Sequence, residues 1–140
     1  MRPSTARFSL DPGIAASTEE MARLGLSDLR LMDDSRFPWL VLVPRRAGLT
    51  EIIDLGMMDQ SRLLAEINTV SKGLKAATGC DKLNVAAIGN IVAQLHIHVV
   101  ARFRSDAAWP KPVWGFGSPV AYRPAERDKL VSRLLAALPA

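Results

Sequence analysis

The sequence predicts an α+β fold on an antiparallel sheet of about five strands, and three observations carry that prediction. Apolar and β-branched runs alternate with short polar or glycine-containing connections. One long stretch in the middle of the chain repeats its apolar residues every three or four positions, as a helix does. A second stretch of this kind closes the chain after all the strands. At 140 residues the chain fits one domain, residues 1–140, with enough length to bury a real core.

Up to about Ser17, Pro3, Pro12 and Gly13 argue against a long element. Phe8 and Leu10 are spaced to alternate inward on a short strand, and Ser17-Thr18-Glu19-Glu20 is placed to cap a helical turn. From Asp28 the pattern changes. Leu29 and Leu31 mark one strand and Trp39-Leu40-Val41-Leu42-Val43 the next, joined through Asp33-Asp34-Ser35-Arg36 and Phe37-Pro38. Pro44 ends the second strand because it lacks an N–H. Residues 57–77 form the clearest helix, with Leu63, Leu64, Ile67, Val70 and Leu74 as its stripe. Asp59 suits its N-terminal dipole and Gly79 its C-cap. Residues 83–88 and 94–103 read as strands on either side of Gly89-Asn90. The segment from Trp109 to Gly115 holds two prolines and no regular element. A last helix over residues 124–138 is expected to bury Leu130, Val131, Leu134, Leu135 and Leu138.

Composition narrows the function classes. The 49% hydrophobic and 23% charged content is that of an ordinary soluble protein, and no apolar run is long enough to span a membrane. The net charge of +4 is scattered over Arg45, Arg46, Arg102, Arg104, Arg123, Arg127, Lys129 and Arg133. Without a basic stripe interleaved with aromatics, this favours small anionic ligands over nucleic acid. Arg45 and Arg46 read as a solvated pair. Cys80 is the single cysteine; it precludes an internal disulfide, suits a reducing cytoplasm and reads as structural.

The chemistry concentrates in residues 94–103. Alternation puts Leu95, Ile97, Val99, Ala101 and Phe103 toward the core, and Gln94, His96, His98, Val100 and Arg102 on the opposite, open face. The only two histidines thus point the same way, about 7 Å apart by strand geometry. Such a pair can decorate a polar surface, contribute to a metal site that needs a third ligand, or combine a nucleophile with an acid–base partner. What precedes the strand favours the last. Gly89-Asn90-Ile91-Val92-Ala93 reads as a tight turn, where glycine lets backbone N–H groups approach a phosphate and the Asn90 amide can donate to a phosphoryl oxygen. An imidazole attacking phosphorus would split one hard displacement into two easier ones.

From Gly89 to Val100 the chain reads G-N-I-V-A-Q-L-H-I-H-V-V. This resembles the signature of the histidine triad (HIT) superfamily of nucleotide hydrolases and transferases: three histidines alternating with apolar residues, then two more apolar residues. Trp39 to Pro44 is similar to the family's strand ending in proline, and Asp33-Asp34 lies near its ribose-binding position. The resemblance covers roughly residues 29–103 and points to the bacterial diadenosine-polyphosphate-hydrolase-like branch, with Gln94 in place of the first histidine.

The resemblance implies roles for particular residues. His96 takes the position of the nucleophile that becomes nucleotidylated, and His98 that of the histidine on the scissile phosphate. Gly89 belongs to the phosphate-binding turn. Asn90 stands where a phosphate-binding glutamine is usual, and Ile91 where Ser or Thr is usual, leaving only its N–H. Asn84 matches a polar residue near the phosphates; Asp33, with Asp34 close behind, matches the ribose carboxylate. Gln94 keeps the carbonyl that holds the nucleophile's ring and loses a titratable group, so Gln94→His is expected to leave turnover intact or raise it. The implied activity is hydrolysis or nucleotidyl transfer on dinucleoside polyphosphates, nucleoside phosphoramidates or related nucleotides. A homodimer with a continuous sheet is implied, with no cofactor and no nucleic-acid or membrane partner. Two alternatives stand beside it: a catalytically weak nucleotide-binding module, and a metal-binding domain using His96 and His98. Trp109 and Trp114 are expected to pack on the domain or a second subunit rather than stack on a purine.

Overall fold

Five antiparallel strands run in the order β1-β2-β3-β5-β4, with the two longer helices packed on one face, in a computed structural model that describes residues 7–139. Residues 1–6, among them Pro3, and residue 140 lie outside the described residues. The elements are α1 (Pro12–Ser17), β1 (Thr18–Arg23), β2 (Ser27–Met32), β3 (Trp39–Pro44), α2 (Met57–Thr78), β4 (Lys82–Ala86), β5 (Ile97–Arg102) and α3 (Pro124–Ala137). The α+β antiparallel architecture is the expected one.

Its beginning differs from expectation. Asp11 caps α1 by accepting from the Gly13 N–H, with Pro12 at the first helical position. The helix therefore starts at Pro12 and ends at Ser17, and the segment expected to cap a turn is a strand from Thr18 onward, paired Thr18 to Met32. Phe8 and Leu10 form no strand, although both pack inward.

The long helix ends at Gly79, whose φ of 66° is the left-handed cap that Cβ-bearing residues resist. Leu63, Val70 and Leu74 are buried on its stripe, whereas Leu64 is 60% exposed, one residue and about 100° round from Leu63. Likewise in α3 only Leu134 is fully buried, while Leu135, next to it in sequence, is exposed. These helices cover one face of the sheet over Leu29, Leu31, Leu40, Leu42, Ile97, Val99 and Ala101.

The other face is not open. Trp39, Val41, Val43 and Val100 are buried there beneath Ile14 of α1 and Ala108 and Val113 of the irregular segment after β5. Burial on both sides explains why every residue of β5 is buried, including His98 and Arg102. The expected polar surface is therefore a covered one. The chain between β4 and β5 is also longer than a tight turn: residues 87–96 have no regular structure, and β5 begins only at Ile97. Gly89, at φ 68°, takes its left-handed position there.

Candidate active site

β5 lies between β3 and β4, with His98 opposite Val41 on one side and Ala86 on the other. His96 stands immediately before the strand, partly buried, and its ring lies 4.8 Å from that of His98, centroid to centroid, at 71°. The rings are closer than strand repeat alone places them, because His96 is outside the ladder.

Hydrogen bonds assign the two tautomers, and they are opposite. His96 Nδ1 lies 2.7 Å from the Gln94 carbonyl oxygen. A carbonyl only accepts, so Nδ1 carries the proton and Nε2 keeps its lone pair. His98 Nδ1 lies 2.9 Å from Trp39 Nε1. An indole N–H only donates, so Nδ1 accepts and the His98 proton sits on Nε2. Burial, helped by the like-charge repulsion that protonating both neighbouring rings would create, pushes the His98 pKa down to about 4, so this ring is a neutral donor at physiological pH. Trp114 packs edge-on against both His98, at 5.4 Å, and Trp39, at 5.9 Å. The pair thus sets an unprotonated imidazole nitrogen beside an N–H donor, which suits attack on an electrophile whose oxygen gains charge.

Gln94 contributes only its main chain here. Its side chain turns to the N-terminal segment, where Nε2 donates to the Ser9 carbonyl and Oε1 accepts from the Asp11 N–H, each at 2.8 Å. Asn84 sits on β4 opposite Val100, so its side chain shares the His98 face. Its Oδ1 accepts from Arg102 Nη1 at 2.9 Å, which leaves the NH2 group as what Asn84 can offer a ligand. Gly89, Asn90 and Ile91 lie on the link before β5, with Asn90 exposed and Ile91 99% exposed.

The two carboxylates lie beyond Trp39, on the β2–β3 connection. Asp34 is buried and heavily engaged: it accepts from the Arg36 and Val120 N–H groups and pairs with the Arg36 guanidinium at 2.8 Å. Burial opposes its charge, but the bonds from Arg36 and Val120 outweigh it and hold the carboxyl below its usual range. Asp33 accepts from the Tyr122 N–H at 2.9 Å. Both therefore tether the segment before α3. Met32, Asp34, Arg36, Trp39, Val113 and Phe116 line a cavity of about 130 Å³. Trp39 is common to this cavity and to the histidine pair.

Two participants escaped the sequence reading. Trp39 was legible only as an apolar strand residue, although a buried indole N–H needs a partner and that need was a usable signal. Arg102 is 2% exposed, pairs bidentately with Asp106, donates to the Lys111 carbonyl and lies 5.7 Å from the Trp109 ring. A lone arginine ending an apolar strand, with an aspartate four residues on, was its signal. Trp109 and Trp114 both pack within the chain, as expected, but Trp114 does so against His98. Arg46 is exposed, as expected, and pairs with Asp59 at the surface, whereas Arg45 is half-buried and pairs with Asp28. Cys80 is buried in the core. No group of three or more His, Cys, Asp or Glu side chains that could hold a metal occurs among the described residues.

The fold and site are those of an antiparallel α+β domain with an imidazole pair at the start of an inner strand, and comparison shows the family to which this arrangement belongs. The HIT domain matches residues 21–105, and the chain belongs to the HIT family, whose members are generally nucleotide hydrolases or transferases. A histidine triad protein from Sinorhizobium meliloti is 45% identical, with 94% of this chain and 97% of that one covered and a TM-score of 0.92. One from Bradyrhizobium japonicum is 44% identical, with 95% and 99% covered and a TM-score of 0.93. One from Marinobacter aquaeolei is 41% identical, with 95% and 97% covered and a TM-score of 0.92. No curated protein matches the chain. No helix of the described residues is long and apolar enough to cross a membrane.

Proposed function

We propose that the chain is a single HIT-type domain that hydrolyses a nucleotide phosphoric anhydride or phosphoramidate, or transfers its nucleotidyl group, through a covalent nucleotidyl-His96 intermediate. The observation that carries this reading is the pair of opposite tautomers. His96 Nε2 attacks phosphorus with its lone pair while the bond to the leaving group breaks and that group departs with the electron pair. The ring becomes cationic as the P–N bond forms, and its Nδ1–H bond to the Gln94 carbonyl strengthens with the charge. His98 Nε2–H donates to a non-bridging oxygen, and the Asn84 NH2 group is placed to do the same. Water or another acceptor then attacks phosphorus from the opposite side and gives up any proton it carries to solvent, while the P–N bond breaks with its electron pair returning to Nε2 and frees neutral His96. Asn90, Ile91 and Gly89 offer N–H groups along the link, and Asp33 is the carboxylate with capacity left for ribose hydroxyls. Asp34 shapes the cavity beside Trp39 rather than reaching a ligand freely.

In this reading substrates are dinucleoside polyphosphates, nucleoside phosphoramidates or related nucleotides in a reducing cytoplasm. Two copies join through the free edge of β4, beside the exposed Val85, into one sheet. A second reading, a nucleotide-binding module with weak turnover, is favoured by one observation: the Gln94 side chain is turned away from the histidine pair and, as an amide, has no titratable proton to give a leaving group.

Both readings meet in one experiment. The protein is mixed with an adenosine phosphoramidate and with a diadenosine polyphosphate, quenched early and weighed intact. An adduct of nucleotidyl mass that is absent from His96→Ala, together with released product, is expected. Tight nucleotide binding with neither adduct nor product would establish the binding module instead.

A further inference from the structure

The mechanism above uses the main chain of Gln94 and none of its side chain, yet both ends of the side-chain amide are engaged elsewhere. Its amide nitrogen grips the Ser9 carbonyl and its oxygen the Asp11 N–H, a two-point hold on the backbone just ahead of α1. The same stretch touches the link before β5 a second time: a Cβ on Gly13 would sit 3.0 Å from Cγ2 of Val92. Phe8, Leu10 and Ile14 complete the docking by packing into the cluster that holds Trp39 and Val100.

The carbonyl that holds His96 belongs to the peptide plane between residues 94 and 95. That plane lies ahead of β5, where no ladder fixes it. Its N–H side is anchored once, by the Leu95 N–H donating to the Leu49 carbonyl at 2.9 Å. A single anchor leaves rotation about itself. The second constraint acts on the Gln94 α-carbon, through the side chain held by Ser9 and Asp11.

We propose that Gln94 is a positioning residue that couples docking of the N-terminal arm, residues 8–17, to the orientation and tautomer of the His96 imidazole. With the arm docked, the Gln94 carbonyl stays aimed at Nδ1 and the lone pair stays on Nε2. With the arm released, the carbonyl swings and both tautomers populate. The glutamine that replaces a triad histidine is then no relic of a lost acid, because it ties an outer segment to the reacting ring. The consequence for turnover rests on the reading of His96 as nucleophile; the coupling itself does not.

Two full-length variants test it. Gln94→Met keeps the volume and removes both arm bonds. Gly13→Val leaves Gln94 intact and wedges the arm away from Val92. In both, amide exchange over residues 13–17 is expected to quicken at least about tenfold. In both, nitrogen-edited spectra of the unliganded protein should show the His96 ring moving from one tautomer to a mixture. Where turnover is present, kcat should fall several-fold with KM within about twofold. An arm that exchanges faster while the His96 tautomer stays unchanged overturns the proposal. So does unchanged arm exchange in Gln94→Met, or a tautomer shift in that variant but not in Gly13→Val. Ring and turnover are read separately, so a parent chain without turnover would strike the nucleotidyl-transfer reading alone.

Discussion

One face of the sheet is covered by two regular helices, the other by an N-terminal arm and an irregular segment, and the two covers bury different things. Beneath α2 and α3 the buried side chains are mostly apolar, joined by the small Ser27 and by the Glu66 carboxylate of α2, which accepts from the Leu26 N–H. Beneath the irregular cover lie His98, Arg102 and Asp34, together with the Trp39 indole N–H. A helix presents side chains and satisfies its own backbone, so it can only cover apolar surface cheaply. An irregular segment brings unpaired N–H and C=O groups, which buried polar side chains can use. The Lys111 carbonyl takes the buried Arg102 guanidinium, the Phe116 carbonyl the half-buried Arg36, and the Val120 N–H meets Asp34. Chemistry therefore settles on the face whose cover supplies hydrogen bonds.

The largest expected effect is on the irregular face. His96→Ala should abolish the adduct and lower turnover by about a thousandfold or more, with the unfolding midpoint nearly unchanged because the ring is only partly buried. Intact mass and steady-state rates check this, and full activity in the variant would break the comparison at its centre. Next comes Asp106→Ala, which strands the buried Arg102 guanidinium and should cost about 3–5 kcal/mol in urea unfolding. Leu74→Ala under the helices should cost a similar 2–5 kcal/mol, roughly, but leave nucleotide affinity untouched, which separates the two faces.

Acid tests the same divide. The His98 pKa falls from its ordinary 6.5 to about 4 on folding, so between those values the unfolded chain binds the proton that the folded one refuses. This contribution destabilises the fold progressively as pH drops from 6.5 toward 4, on the order of 2 kcal/mol at pH 5. Unfolding at pH 7 and pH 5 should show it, and His98→Asn should lose that part of the slope. A smaller effect is expected from Trp39→Phe, which removes the donor to His98 Nδ1 and lets that ring protonate more readily. The acid limb of the pH–rate profile should move upward, and turnover at neutral pH should fall about tenfold. The smallest concerns Gln94→His. Its two arm bonds are lost, so the sign expected from sequence reverses, and turnover should fall a few-fold rather than hold or rise.

Those elements that the chain's local pattern specifies were legible. The stripe of α2, its glycine cap, the apolar run of β3 and the alternation through Ile97, Val99 and Ala101 each depend on neighbours within a few residues. The histidine pair was legible for the same reason. Errors arose where a distant segment decides. Ser17 to Glu20 reads locally as a cap, but pairing with β2 draws Thr18 into a strand. The polar parity of His98 and Arg102 reads locally as an open face, yet Ala108 and Val113 close over it.

Spacing alone pointed the two imidazoles the same way, although His96 stands just ahead of β5, and the resemblance to the HIT signature singled out His96 as the candidate nucleophile. It could not say which nitrogen of either ring holds the proton, because that depends on Trp39, 59 residues away, and on how the Gln94 carbonyl turns. Nor could it say that the Gln94 side chain faces away from the site, since its partners lie 83 and 85 residues back along the chain. Secondary structure and side-chain parity follow from short-range sterics and periodicity, whereas tautomers, burial and the direction of a single carbonyl follow from contacts that exist only once distant segments have met.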